Sequence, residues 1–174
     1  MISASNIYLV GPMGVGKTTV GRSLAKSLGL EFVDSDQQIE ERTGVSISTI
    51  FDIEGEEGFR ARESKILNNL CQMSNIILAT GGGIVILPKN RKILKNSGLV
   101  VYLYSSIDQL LRRTAKSKTR PLLENSTDRK KTITELLETR DVYYREVASF
   151  VVDTTGKKLH EVINLIIRET KNVE

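Results

Sequence analysis

Residues 11 to 18 read Gly11-Pro12-Met13-Gly14-Val15-Gly16-Lys17-Thr18 and satisfy G-x-x-x-x-G-K-[ST] at every fixed position. That spacing suits phosphate chemistry. The glycines let the backbone curl so that N–H groups face inward, and a helix starting at the loop's end adds positive potential. Lys17 then reaches the β- and γ-phosphates of a nucleotide, and the Thr18 hydroxyl ligates Mg²⁺. A second stretch, Asp34-Ser35-Asp36, carries carboxylates two residues apart. In extended chain both face one side. One of them is then available to hold Mg²⁺, directly or through water, and the other to accept a proton from a substrate hydroxyl. The bland alternative is that Ser35 or Asp36 caps a helix through residues 37–42. A third stretch, Thr80-Gly81-Gly82-Gly83, stands where many nucleotide-binding proteins carry a metal-binding acid. Three glycines instead remove three Cβ atoms, so backbone N–H groups can approach a ligand closely. Asp34 becomes the candidate metal-binding acid in their place.

Four arginines extend the pattern. Arg60 follows Gly55-Glu56-Glu57-Gly58-Phe59, at the expected start of a helix running to about Met73. A cation there opposes the helix macrodipole; an anionic ligand answers it, and so does pairing with Glu56 or Glu57. Arg140 falls on the apolar stripe of a helix expected from about Asp128 to Val147, beside Ile133, Leu136, Leu137, Tyr144 and Val147. A charge in such a stripe is costly unless paired or snorkelling. It pairs with Glu146 or another acid, or it meets an anionic substrate, and with Arg60 it would make a two-arginine carboxylate clamp. The basic stretch from Arg112 to Lys131 includes Arg113 and Arg120. As a lid it would exclude water, with Arg120 on the transferring phosphoryl group and Arg113 stacked on the base. As a mere charge run it is a solvated loop.

The elements that must position these groups alternate. Apolar strand candidates are Ile7 to Val10, Glu31 to Val33, Ile76 to Ala79, Leu99 to Tyr104 and Phe150 to Val152. Several lack alternation, as parallel strands covered on both faces do. Helical periodicity falls between them, down to Leu159, Val162, Ile163, Ile166 and Ile167. The expectation is an α/β chain with a parallel sheet and helices on both sides, its ligands at the carboxyl ends of the strands. One domain fits 174 residues. One cysteine, Cys71, excludes an internal disulfide and reads as a packing residue, and no apolar run approaches membrane-spanning length. With no basic-then-apolar leader pattern, the expected location is the cytoplasm. A net charge of +4 invites a nucleic-acid reading, but aromatics are only 5% and no such motif appears, so no nucleic acid and no membrane is expected as a partner. His160, the single histidine, lies far from the motifs and reads as a surface residue.

The set G-P-M-G-V-G-K-T-T-V-G-R, D-S-D, G-E-E-G-F-R, A-T-G-G-G and R-P-L-L, in this order, resembles the shikimate kinases from Ile7 to the last helix. That resemblance implies a three-layer α/β/α P-loop kinase fold of the nucleoside-monophosphate-kinase type, a five-stranded parallel sheet of order 2-3-1-4-5. It implies one domain over residues 1–174, a substrate-binding segment at about 34–62 and a lid at about 114–128. The implied reaction moves the γ-phosphoryl of ATP to the 3-hydroxyl of shikimate, in the chorismate (aromatic amino acid) pathway. The implied nucleotide-binding residues are Gly14, Val15, Gly16, Lys17, Thr18 and Thr19, with Arg113 stacking on adenine and Arg120 reaching the phosphates. By the same resemblance Thr18 would bind Mg²⁺, with Asp34 helping through water. Asp36 contacts the shikimate hydroxyls as proposed base, Arg60 and Arg140 hold the carboxylate, and Gly82 and Gly83 give backbone contacts. Lys17, Asp36 and Arg120 are the implied catalytic set, in a monomer. The family often has R-x-P-L-Y where this chain has Arg140-Asp141-Val142-Tyr143-Tyr144. A gluconate kinase would use the same loop and lid, but not the D-S-D, G-F-R and triple-glycine set. A GTPase-type switch is disfavoured: Asp52-Ile53-Glu54-Gly55 matches D-x-x-G, yet no N-K-x-D follows. A catalytically silent homologue would not need Lys17, Asp34, Asp36 and Arg60 together.

Overall fold

Five apolar runs form one all-parallel sheet in the computed structural model: β1 (Ile7–Val10), β2 (Glu31–Asp34), β3 (Ile76–Ala79), β4 (Leu99–Tyr104) and β5 (Phe150–Asp153). Their order is β2-β3-β1-β4-β5. The structure describes residues 6–115, 121–124 and 127–173, without the side chains of 121 and 124. β1 and β3 are buried along their whole length, whereas β2 and β5 at the edges alternate in exposure. Central strands covered on both faces need no polar side, which is why their sequences run apolar without a break. β1 lies between β3 and β4. The chain therefore crosses to one side after β1 and to the other after β3, and the crevice this opens lies at the carboxyl end of β1.

The described residues form eight helices: α1 (Lys17–Leu28), α2 (Ser35–Thr43), α3 (Ile47–Leu70), α4 (Pro88–Ser97), α5 (Ile107–Thr114), α6 (Pro121–Glu124), α7 (Arg129–Val147) and α8 (Leu159–Val173). α1 packs on α8, while α4 packs on both α3 and α7, so apolar helix faces cover the sheet. None of them is long and apolar enough to cross a membrane.

Two boundaries differ from the sequence reading. β2 and β5 each run one residue further, ending on Asp34 and Asp153. The run from Ile47 to Leu70 is two helices meeting at a kink, where Gly55 adopts φ 71 and ψ −177, so the second begins near Glu56, a turn before the start expected from the sequence. That backbone state is strained for any side chain but open to glycine. The bend means that Arg60 is not at a helix start, so the macrodipole argument for it does not apply.

The far end of the sheet is tied by one side chain. Asn6 Nδ2 donates to the Met73 carbonyl at 2.7 Å and to the Tyr8 hydroxyl at 3.1 Å, and its Oδ1 accepts from the Ile76 amide at 3.2 Å. Removing it leaves buried backbone groups unsatisfied, a loss of about 2–3 kcal/mol. Asn6→Ala should lower the unfolding free energy in urea by that amount. Turnover should not change, because Asn6 lies at the opposite end of the strands from the crevice.

Candidate active site

The loop between β1 and α1 turns on positive-φ glycines: Gly11 at 149°, Gly14 at 82° and Gly16 at 100°. α5 backs it closely. A Cβ on Gly14 would stand 2.6 Å from Thr114 Cγ2, and Arg113 Nη1 donates to the Val15 carbonyl at 2.6 Å. Lys17 Nζ folds over the loop to the Gly11 and Pro12 carbonyls at 2.6 and 2.9 Å. This is a preformed anion cradle, with inward N–H groups, a helix N-terminus and a lysine at its lip.

Asp34 ends β2 and does two jobs. Its Oδ1 accepts from the Asp36 and Gln37 amides at 2.9 and 3.2 Å, capping α2. Its Oδ2 accepts from the Thr18 hydroxyl at 2.8 Å. The cap is therefore Asp34, not Ser35 or Asp36. Nor does Asp34-Ser35-Asp36 lie in extended chain, since Ser35 opens α2. Both carboxylates still reach one crevice, because Asp34 leaves the strand there and Asp36 leaves the first turn of the helix. Thr18 Oγ1 and Asp34 Oδ2 are hard oxygen donors beside the cradle. A short oxygen set suits Mg²⁺, which keeps much of its own water.

Asp36, Arg60, Gly82, Gly83 and Arg140 line one cavity of about 350 Å³, with apolar walls from Met13, Phe51, Phe59 and Leu122. A missing side chain at each glycine makes room for it. A Cβ on Gly81 would stand 2.8 Å from both Asp36 Oδ1 and Glu63 Oε2. On Gly82 it would be 3.6 Å from Arg140 Nη1, and on Gly83 it would fall on the Arg60 guanidinium. Arg60 Nη1 donates to Glu63 Oε1 at 2.9 Å and Nη2 to Glu56 Oε1 at 3.3 Å. Glu56 was one of the acids expected for it; Glu63, fully buried one helical turn on, was missed. An acid at i+3 from Arg60 is a sequence signal that could have found it. Arg140 is 4% exposed, and Glu146 pairs instead with Arg91. Among the described residues no carboxylate stands within ion-pair distance of Arg140. A buried guanidinium in that state favours an anionic ligand.

Burial lifts the Glu63 carboxyl above its usual range, against the pull of Arg60 and Arg140. Burial likewise pushes the Tyr144 hydroxyl up to about 12, so it remains a donor, and it bonds the Gly82 carbonyl at 2.5 Å. The Cys71 thiol is also raised by burial, which suits an inert packing residue. His160 is exposed.

Three cavities join into one groove. The phosphate cleft, about 280 Å³, runs from Gly14, Gly16, Lys17, Thr18 and Thr19 to Asp34, Asp36, Gly81 and Gly82. It shares these last four with the Arg60–Arg140 cavity. At its other end it shares Gly16, Thr19 and Arg113 with a cleft of about 270 Å³ that also takes in Val15, Val20, Thr154, Lys157 and Val162. The structure thus brings together every expected site residue except Arg120, which lies outside the described residues along with much of the expected lid.

A profile of the shikimate kinase family matches residues 13–171. Over 168 residues the chain is 52% identical to a shikimate kinase of Thioalkalivibrio sulfidiphilus, covering 97% of this chain and 88% of that protein. It is 53% identical over 163 residues to a shikimate kinase of Halorhodospira halophila, covering 94% and 92%. Its backbone superposes on a shikimate kinase from Acinetobacter baumannii in complex with shikimate, with TM-score 0.95, 46% identity and coverage of 98% and 95%.

The raised Glu63 carboxyl has a sign that can be measured. Between the ordinary glutamate value of 4.5 and its own higher one, the native state binds more protons than the unfolded chain. Stability contributed by this group therefore falls as pH rises through that window. Unfolding free energies of wild type minus Glu63→Gln, taken from about pH 4 to pH 8, should decline with pH. A difference that rises or stays flat would contradict the burial argument.

Proposed function

The chain belongs to the shikimate kinase family, and from that premise we propose that it moves the γ-phosphoryl group of ATP to the 3-hydroxyl of shikimate, giving 3-phosphoshikimate and ADP. The observation that carries this reading is the junction at Asp34, Asp36, Gly81 and Gly82, shared by the phosphate cleft and the Arg60–Arg140 cavity. A phosphoryl group and an acceptor hydroxyl would meet there, with a carboxylate on the spot.

Each residue has a part. Lys17 gives up its two loop carbonyls for phosphate oxygens, and the N–H groups of residues 14 to 19 hold the chain of phosphates. Thr18 and Asp34 Oδ2 would hold Mg²⁺, which when bound neutralises charge across the phosphate oxygens. Arg113, already at the mouth of the third cleft, takes the base. Arg60 and Arg140 fork onto the shikimate carboxylate, and the Gly82 and Gly83 backbone lies against the ring. Phe51 and Phe59, with centroids 4.8 Å apart, give that ring an apolar wall. With its carboxylate fixed, the ring turns a hydroxyl toward Asp36, which orients it and takes its proton as the phosphoryl group arrives. Residues at about 34–62 are the substrate-binding segment in this reading, and those at about 114–128 form the lid that brings in Arg120. The reading needs no residue from a second copy, and a monomer is proposed with it. The single half-buried Cys71 suits the cytoplasm, where the product would enter chorismate synthesis.

ADP release with ATP, Mg²⁺ and a panel of hydroxy acids tests the proposal. Turnover that depends on shikimate supports it; turnover with gluconate alone, or slow hydrolysis indifferent to every acceptor, overturns it. Asp36→Asn should lower kcat about 10²–10⁴-fold with the ATP KM within about twofold. Arg60→Lys should raise the shikimate KM about 10–100-fold, because an ammonium cannot reproduce the bidentate fork.

A further inference from the structure

The segment Arg140 to Tyr144 departs from the family's R-x-P-L-Y pattern at Val142 and Tyr143. α7 runs unbroken through this segment, from Arg129 to Val147. Tyr143 then has a partner that a leucine would not engage in the same way. The Arg91 guanidinium lies over its ring, 4.3 Å from the centroid. The same guanidinium reaches back into the turn that follows the triple glycine. Its Nη1 donates to the Val85 carbonyl at 2.8 Å and to the Ile86 carbonyl at 3.0 Å. Its Nε stands 3.1 Å from Glu146 Oε2, an ion contact without hydrogen-bond alignment, and only 14% of the side chain is exposed.

One planar cation therefore joins three things: two successive carbonyls of the turn, an aromatic face on α7, and a carboxylate one residue past Arg145 on the same helix. The turn has a second tie to α7, the Tyr144 hydroxyl on the Gly82 carbonyl at 2.5 Å. Asn90 Nδ2 holds the Ile84 carbonyl at 3.0 Å from the α4 side. Arg140 is one turn before Tyr144 on α7, and Gly82 and Gly83 begin the turn. The distance between the carboxylate-binding guanidinium and the ring-facing backbone is thus set by how the turn sits on α7. A lysine could reach both carbonyls from one nitrogen, as Lys17 does in the phosphate loop, but its ammonium has no plane to lay on the ring and no second nitrogen for Glu146.

We propose that Arg91, seated on Tyr143, is a positioning residue that fixes the 81–87 turn against α7 and so sets the geometry of the shikimate-binding cavity. The inference rests on the shikimate reading above. It gives Tyr143, where the family pattern has leucine, a role in this chain as the seat of the Arg91 guanidinium.

Steady-state kinetics in both substrates and shikimate calorimetry test it on wild type, Arg91→Met, Arg91→Lys, Tyr143→Leu, Tyr143→Phe and the double variant Arg91→Met/Tyr143→Leu. Arg91→Met should raise the shikimate KM and Kd about tenfold or more and leave the ATP KM within about twofold, and Arg91→Lys should not rescue it. Tyr143→Phe keeps the ring and should behave as wild type, while Tyr143→Leu should lose about three- to fivefold. The double variant should be no worse than Arg91→Met, since both changes break one contact. Equal changes in both KM values, an unchanged shikimate Kd, or effects that multiply in the double variant would overturn the proposal. If Arg91→Met does not fold, Tyr143→Leu against Tyr143→Phe decides it. Wild type without shikimate-dependent turnover would instead defeat the functional reading.

Discussion

The acceptor cavity exists because three side chains are missing from one turn. At 81, a Cβ would collide with two carboxylate oxygens, those of Asp36 and Glu63. At 83 it would take the place of the Arg60 guanidinium, and at 82 it would crowd the Met13 amide at 3.3 Å. Charged groups from α2, α3 and α7 converge on the carboxyl end of β3 only because that strand's exit presents bare backbone. The burial that results is electrically uneven. Arg60 has Glu63 within 2.9 Å, whereas Arg140 has no carboxylate within ion-pair distance among the described residues. A low-dielectric pocket with that imbalance attracts an anion, and the apolar walls select one carried on a small ring.

The same economy of placement governs the donor side. Asp34 is the last residue of β2, the cap of α2 and the partner of Thr18, all through two oxygens. Fixing the helix and presenting an oxygen to the proposed metal are one act, and the first turn of that helix delivers Asp36 to the junction. The loop glycines, the close approach of Thr114 and the Arg113–Val15 bond bind α5 to the cradle. The cradle and the C-terminal turn of α5 thus pack as one unit.

Much of this was legible in the sequence because it is local. The phosphate loop is a fixed spacing, and unbroken apolar runs such as Ile76 to Ala79 announce buried parallel strands. The strand order, and the convergence of Asp36, Arg60, Arg140 and the glycines, came from resemblance and from the rule that α/β ligands lie at strand ends. What failed was long-range or conformational. The kink at Gly55 starts its second helix near Glu56, a turn before the expected start at Arg60, because the glutamates between carry no apolar periodicity to announce it. Glu146 was a plausible mate for Arg140 by spacing, but α4 brought Arg91 to it from 55 positions away in sequence. Glu63 was hidden in a stretch of mixed charge; only burial distinguishes it from Glu56 and Glu57. Periodicity says which face a residue is on, not which charged neighbour the packing delivers.

Calorimetry on Gly83→Ala tests the central claim most directly. Gly83 is not among the positive-φ residues, so alanine fits its backbone. The three atoms nearest the added Cβ all belong to the Arg60 guanidinium, so the backbone should keep its fold while the Arg60–Glu63 pair shifts, and the unfolding midpoint should fall no further than loss of that one pair allows. The account predicts that shikimate affinity falls at least about 100-fold while the affinity for an ATP analogue stays within about twofold. Wild-type affinity for shikimate in this variant would contradict the claim that the vacancy at 81–83 creates the acceptor site.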